Sequence, residues 1–150
     1  MSLSTEIMTA MKEAMKAKDQ NALTSLRAVK SAILLAQTES GAKQELTEEQ
    51  ELKILQKLVK QRKDSAKIFS EQGRTDLADP ELTQAEIIAN FLPEQMDADA
   101  IATIVKEVIA ATGAAGMKDM GKVMGQVNAR VAGRADGGTV AGLVKAALTN

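Results

Sequence analysis

The 150-residue chain has no cysteine, histidine, tryptophan or tyrosine, and its aromatic side chains are Phe69 and Phe91 alone. Without cysteine there are no disulfides, no thiolate nucleophiles and no Cys-type zinc sites. Without histidine the Ser-His-Asp and Cys-His arrangements, imidazole metal ligands and the usual neutral-pH proton shuttle are excluded. Two phenylalanines are too few for the aromatic platforms on which bases stack, so any RNA contact must run through phosphates and shape. A formal charge of −1 argues against coating nucleic acid through bulk positive charge. No stretch reaches the ~20 apolar residues of a membrane span. Glu6 and Glu13 interrupt the N-terminal apolar residues, so Met1 to Lys18 does not read as a signal peptide. The expectation is a soluble cytoplasmic protein with no membrane partner.

What remains is 45% hydrophobic residues, laid out almost everywhere at helical spacing. Ile7, Met8, Met11 and Met15 predict a helix over Ser4 to Lys18. Asp19 or Asn21 caps a second, running to about Gln37, with Leu23, Leu26, Ile33 and Leu34 inside. Ser40 to Lys43 reads as a turn. Thr47 with Gln50 is a capping-box signature for a third helix, which carries Leu52, Leu55, Leu58, Val59, Ala66 and Phe69 before Gly73 ends it. Some twenty-five residues at 1.5 Å each give roughly 37 Å, long for a compact chain of this size, so an elongated or two-part molecule is expected. Asp79-Pro80 reads as a cap followed by a first-turn proline; the fourth helix then stops before Leu92-Pro93.

Composition shifts at Pro93 to Met96. Eight of the ten glycines lie at or beyond Gly113, and 13 basic with 15 acidic residues up to Gln95 give way to 6 and 5. Two domains follow, residues 1–95 and 96–150, the second a three-helix module. Asp97 caps its first helix, where Ile101, Ile104, Val105, Val108 and Ile109 keep the i, i+3, i+4, i+7, i+8 pattern to Gly113. Met120, Val123, Met124, Val127 and Val131 line the next helix to Gly133, and Val140, Leu143, Val144, Ala147 and Leu148 the last. No alternating segment predicts a strand. The fold class is all-α.

Several constellations bear on function. Gly116 to Val123 fits the phosphate-loop pattern G-x-x-x-x-G-K but places Val123 where a magnesium-binding hydroxyl is required, and no strand precedes it; no nucleotide cofactor is assigned. The best functional surface is cationic. Lys118, Lys122 and Arg130 fall at multiples of four, Arg134 follows in a glycine-rich turn, and Lys145 lies on the last helix. Gly121 and Gly125, four apart, permit close approach of a helix or a ribose-phosphate chain. A second basic stripe, Lys53, Lys57, Lys60 and Lys67 with Lys63 beside it, lies opposite the apolar side of the third helix. Arg62 alone falls among apolar residues and needs a partner; Asp76 and Glu51 are the candidates, for a structural ion pair. Asp97 and Asp99 are explained by capping, and neither a catalytic carboxylate pair nor a metal site is apparent.

Read as a whole, Lys60-Gln61-Arg62-Lys63-Asp64-Ser65-Ala66, Gly73-Arg74-Thr75-Asp76-Leu77 and Phe91-Leu92-Pro93-Glu94-Gln95 resemble successive signatures of the YqeY-like proteins. So do Lys118-Asp119-Met120-Gly121-Lys122-Val123-Met124, Gly133-Arg134-Ala135-Asp136-Gly137 and Leu143-Val144-Lys145. The resemblance implies a helical N-terminal domain followed by a module related to the tail of the B subunit of the tRNA-dependent amidotransferase. That enzyme amidates Glu-tRNA(Gln) or Asp-tRNA(Asn), and its tail contacts tRNA. The implied role is an accessory RNA-binding module for tRNA or another structured RNA, with Lys118, Lys122, Arg130, Arg134 and Lys145 on phosphates. Two alternatives stand beside it: a component of a glutamine-dependent carbon–nitrogen ligase, and a helical helper that docks amidotransferase or translation-related proteins. No catalytic constellation of its own is visible.

Overall fold

A computed structural model describes residues 2–39, 41 and 45–149. Among these the chain is all-α: seven helices and one 3₁₀ turn, without strands. It forms two compact units, one up to Leu92 and one from Pro93 onward. The division falls three residues before the one expected from composition, because Glu94, Gln95 and Met96 are hydrogen-bonded into the second unit.

Local capping sets the helices of the first unit. In α1, Leu3–Ala17, Ser2 accepts from the Thr5 amide, and Lys18 turns left-handed (φ 53°) to end the helix. Asp19 Oδ1 accepts from the Ala22 amide at 3.0 Å at the start of α2, Gln20–Glu39. Asn21 lies inside that helix, where its carbonyl accepts from the buried Ser25 hydroxyl at 2.6 Å. Apart from Gly41, in the left-handed region at φ 67°, the turn expected over Ser40 to Lys43 lies outside the described residues. Both halves of the Thr47–Gln50 capping box form at the start of α3, Glu48–Glu71. At 24 residues and 1.5 Å each, α3 is about 36 Å long.

The fourth helix corrects the sequence reading. α4 spans Thr75–Ala89, so it starts four residues before Asp79 and carries Pro80 in its second turn. The left-handed Gly73 (φ 73°) reverses the chain, and the Leu77 and Ala78 amides already donate to the Arg74 carbonyl. Burial of Ala78 between α3 and α4 helps hold this extra turn, and the proline costs it only one backbone bond.

The four helices close over Ile7, Ala14, Leu23, Leu26, Val29, Ile33, Leu55, Val59, Ala85 and Ile88. Leu34, expected inside, is exposed: it sits 100° from Ile33 on the helix, and Val29 fills the face instead.

In the second unit, Asp97 Oδ1 accepts from the Ala100 amide at 2.7 Å to start α5, Ala98–Thr112, and left-handed Gly113 ends it. A 3₁₀ turn, Met117–Asp119, leads into α6, Met120–Val131. Two left-handed residues, Ala132 (φ 31°) and Gly133 (φ 79°), end α6. Asp136 accepts from the Thr139 amide and hydroxyl at the start of α7, Gly137–Thr149. Ile101, Val105, Val108, Val123, Val127, Val131, Ala135, Val140 and Val144 form the second core. Among the described residues no single helix is long and apolar enough to cross a membrane. Ala98–Thr112 with Met117–Val131 passes by length and composition only as a pair bent by 98°, and the apolar faces of both lie in this core.

Leu26, 2% exposed, should lose about 3 kcal/mol of stability on Leu26→Ala, and Thr47→Ala about 1 kcal/mol through loss of the cap. Urea titration followed by circular dichroism measures both.

Candidate functional site

The elements that carry the cationic residues are neighbours. The 3₁₀ turn packs on both α6 and α7, and α6 packs on α7. Lys118 on the turn, Lys122 and Arg130 on α6, Arg134 beyond it and Lys145 on α7 are all exposed. They are exposed for a local reason: Val123, Val127 and Val131, and Val140 and Val144, take the inward positions of α6 and α7.

Their environments divide them. Arg130 forms an ion pair with Glu107 of α5 at 2.6 Å. Arg134 donates from Nε to the Glu94 carbonyl at 3.3 Å. Lys118, Lys122 and Lys145 have no ion pair or hydrogen bond from their side chains among the described residues. Among the described residues three of the five cations are thus free, one is neutralised and one is tethered to a neutral carbonyl. Sequence reasoning missed Glu107, since pairing residues 23 apart requires knowing that α5 and α6 lie side by side.

Gly121 and Gly125 lie in exposed positions of α6, and a Cβ at either would meet nothing within 4 Å. Internal packing therefore does not require them. Helical glycine costs about 1 kcal/mol relative to alanine, and what it leaves here is a smooth, bare helix flank beside Lys122.

The phosphate-loop likeness dissolves in the structure. Gly116 precedes a 3₁₀ turn, the Asp119 carboxylate accepts from the Ala115 amide at 3.0 Å, and Val123 is fully buried. A carboxylate occupies the loop, and the residue in the hydroxyl position belongs to the core. The lysine stripe of α3 is thinned by its own carboxylates: Lys53 pairs with Glu49 and Lys60 with Asp64, each at 2.8 Å.

The expected Arg62–Asp76 pair does not form. Half-buried Arg62 donates from Nε to Gln84 Oε1 at 3.3 Å and reaches the Leu58 carbonyl at 3.5 Å. Asp76 is held instead by Arg74, two residues away, through two bonds of 3.1 and 2.9 Å. A neighbour in the same turn captures the carboxylate with little chain ordering, whereas Arg62 lies in the α3–α4 seam, where the neutral amide of Gln84 meets it. Hydrogen bonding to Arg74 holds the Asp76 carboxyl below its ordinary range and raises Arg74. The Lys53 ammonium likewise lowers Glu49. Glu51, the other candidate partner for Arg62, is shifted upward, by burial first and then by Glu48, Glu6 and Glu45.

Among the described residues no group of three or more carboxylates is placed to hold a metal ion, and the buried Ser25 hydroxyl is occupied by a backbone carbonyl.

Comparison with known proteins places this arrangement in context. A family model described as Yqey-like protein matches residues 4–148. Altered inheritance of mitochondria protein 41, mitochondrial, from Clavispora lusitaniae is 40% identical over 82 residues. That match covers 55% of this chain and 46% of the relative, so the chain matches about half the length of this curated protein.

The carboxylates give two opposite pH signatures. Glu51, raised in the folded state, opposes folding when ionised. Glu51→Gln should therefore raise Tm at pH 7 by about 1 °C, within the ~0.5 kcal/mol of a screened surface site. The gain should vanish below the ordinary carboxyl value of 4.5. Asp76, lowered by Arg74, supports folding above its ordinary value of 3.8. Asp76→Asn should lower Tm at pH 7, and the difference should close as pH falls through the depressed folded value. Thermal melts across pH check both signs.

Proposed function

We propose, for a chain that belongs to the YqeY-like protein family, that the second unit is an accessory RNA-binding module whose ligand class is tRNA. The observation that carries this reading is the set of exposed cations with no ion pair among the described residues, Lys118, Lys122 and Lys145, on adjoining elements of one small unit. The terminal nitrogens of Arg134 add a fourth contact. The resemblance of this unit to the amidotransferase B-subunit tail, which contacts tRNA, supports the choice of ligand.

The physics is that of counterion release. Each lysine that displaces a condensed cation from a phosphate contributes free energy that falls as salt rises, and no base is read. The bare flank of α6 at Gly121 and Gly125 admits the ribose-phosphate chain close to the helix backbone, which a side chain there would hold away. Glu107 acts against binding: a phosphate must compete with its carboxylate for Arg130, so this arginine contributes less than its charge alone provides.

Four phosphate contacts give a log–log salt slope near −3, at ~0.7–0.9 each. Lys118→Glu, Lys122→Glu and Lys145→Glu together should weaken tRNA binding at least tenfold at low salt and flatten the slope to about −1. Fluorescence anisotropy with total deacylated tRNA at several salt concentrations measures both, and unchanged affinity in the triple variant would remove this reading. Glu107→Gln should move affinity the other way, tightening it and steepening the slope by up to about one contact.

A further inference from the structure

The residues around Arg134 form an arrangement that capping and packing do not require. Gln95 donates from Nε2 to the Gly133 carbonyl at 3.0 Å and to the Pro93 carbonyl at 2.8 Å. The Met96 amide donates to the Arg134 carbonyl at 2.7 Å. Arg134 returns the contact from its side chain, Nε to the Glu94 carbonyl at 3.3 Å. Residues 93–96 thus lie as a strap along the Gly133–Arg134 turn, which left-handed Gly133 (φ 79°) makes tight enough to be bridged. Two stretches nearly forty residues apart in sequence are joined at backbone level.

The bonding of the guanidinium is selective. Its Nε is occupied, while its two terminal nitrogens have no partner among the described residues. Terminal nitrogens form the fork that grips a phosphate side-on. A free arginine samples many rotamers and loses that freedom on binding; one tethered at Nε has given up part of it already. The tether is a neutral backbone carbonyl, so it fixes direction without cancelling charge, in contrast to Glu107 on Arg130.

We infer that the 93–96 strap is a positioning device for Arg134: the Glu94 carbonyl holds its Nε edge, and the Gln95 side chain, bridging the Pro93 and Gly133 carbonyls, fixes that carbonyl against the turn so that the terminal nitrogens face an RNA phosphate. This rests on the RNA reading above and adds to it two residues, Glu94 and Gln95, that carry no positive charge and need not touch the ligand. Gln95 acts through Arg134.

The experiment uses the full chain, uniformly ¹⁵N-labelled, with Gln95→Ala, Arg134→Ala, Arg134→Lys and the Gln95→Ala/Arg134→Ala pair. In the parent protein the Arg134 Nε–H should give a resolved, slowly exchanging resonance. Gln95→Ala should speed that exchange while leaving the amide spectrum of α5 to α7 and the melting midpoint in place, since the Gln95 side chain is exposed. Total deacylated tRNA should bind Gln95→Ala roughly threefold to tenfold more weakly, with a salt slope reduced by about 0.8, one phosphate's share. Arg134→Lys keeps the charge and loses the fork, so affinity should fall by a similar factor while the salt slope stays near that of the parent. The pair should be no weaker than Arg134→Ala alone.

Unaltered Nε–H exchange in Gln95→Ala, or additive losses in the pair, would overturn the inference. So would parent-like tRNA binding by Arg134→Ala in the presence of a deficit in the Lys118/Lys122/Lys145 variant, and in that case the RNA reading survives. Parent-like binding by that triple variant as well would overturn both.

Discussion

Everything in this chain depends on burying small aliphatic side chains between helices, without an aromatic anchor in either buried core. Valine, isoleucine, leucine and alanine make up the cores, and such side chains become inaccessible only when helices lie close together. Stripes at i, i+3 and i+4 supply that approach, and they consume the inward face of every helix. The only polar residue classed as buried among those described is Ser25, satisfied by its own helix. Charge is therefore driven outward, and whatever this protein recognises it meets through its surface.

On that surface, the arrangement of partners matters more than the number of cations. The longest helix has the larger count of lysines, but neighbours four residues away neutralise two of them. The second unit carries six cations against six carboxylates, but among the described residues only Arg130 of those cations is held in an ion pair. Arg130 and Arg134 show two ways of restraining the same side chain: a carboxylate removes its field, while a carbonyl leaves the field and removes the motion. A net charge of −1 conceals this difference, because it averages over groups that never act together.

Much of the fold was legible from apolar spacing and caps. Thr47, Asp97 and Gly113 do what their residue types imply, and every inward position of α5 was readable. The start of α4 was not, because Asp-Pro is a strong signal for a helix start, while the earlier start rests on the turn at Gly73 and the burial of Ala78. Leu34 was misplaced because two adjacent leucine-type residues compete for one face. For the candidate surface, the cations and their exposure followed from the wheel, but their partners did not. Glu107, Gln84 and Gln95 lie 23, 22 and 38 residues from the atoms they bind, and no local pattern encodes such distances. The Arg62–Asp76 pairing failed for the same reason in reverse: Arg74 was nearer.

Pro80 has a consequence of its own. It has no amide hydrogen, so the Asp76 carbonyl loses its partner one turn along, and the first turn of α4 is missing a rung. The Arg74–Asp76 fork beside it is solvent-exposed on both sides. Together with left-handed Gly73 this leaves the first turn of α4 held by fewer backbone bonds than the turns that follow, with the buried Ala78 as its anchor.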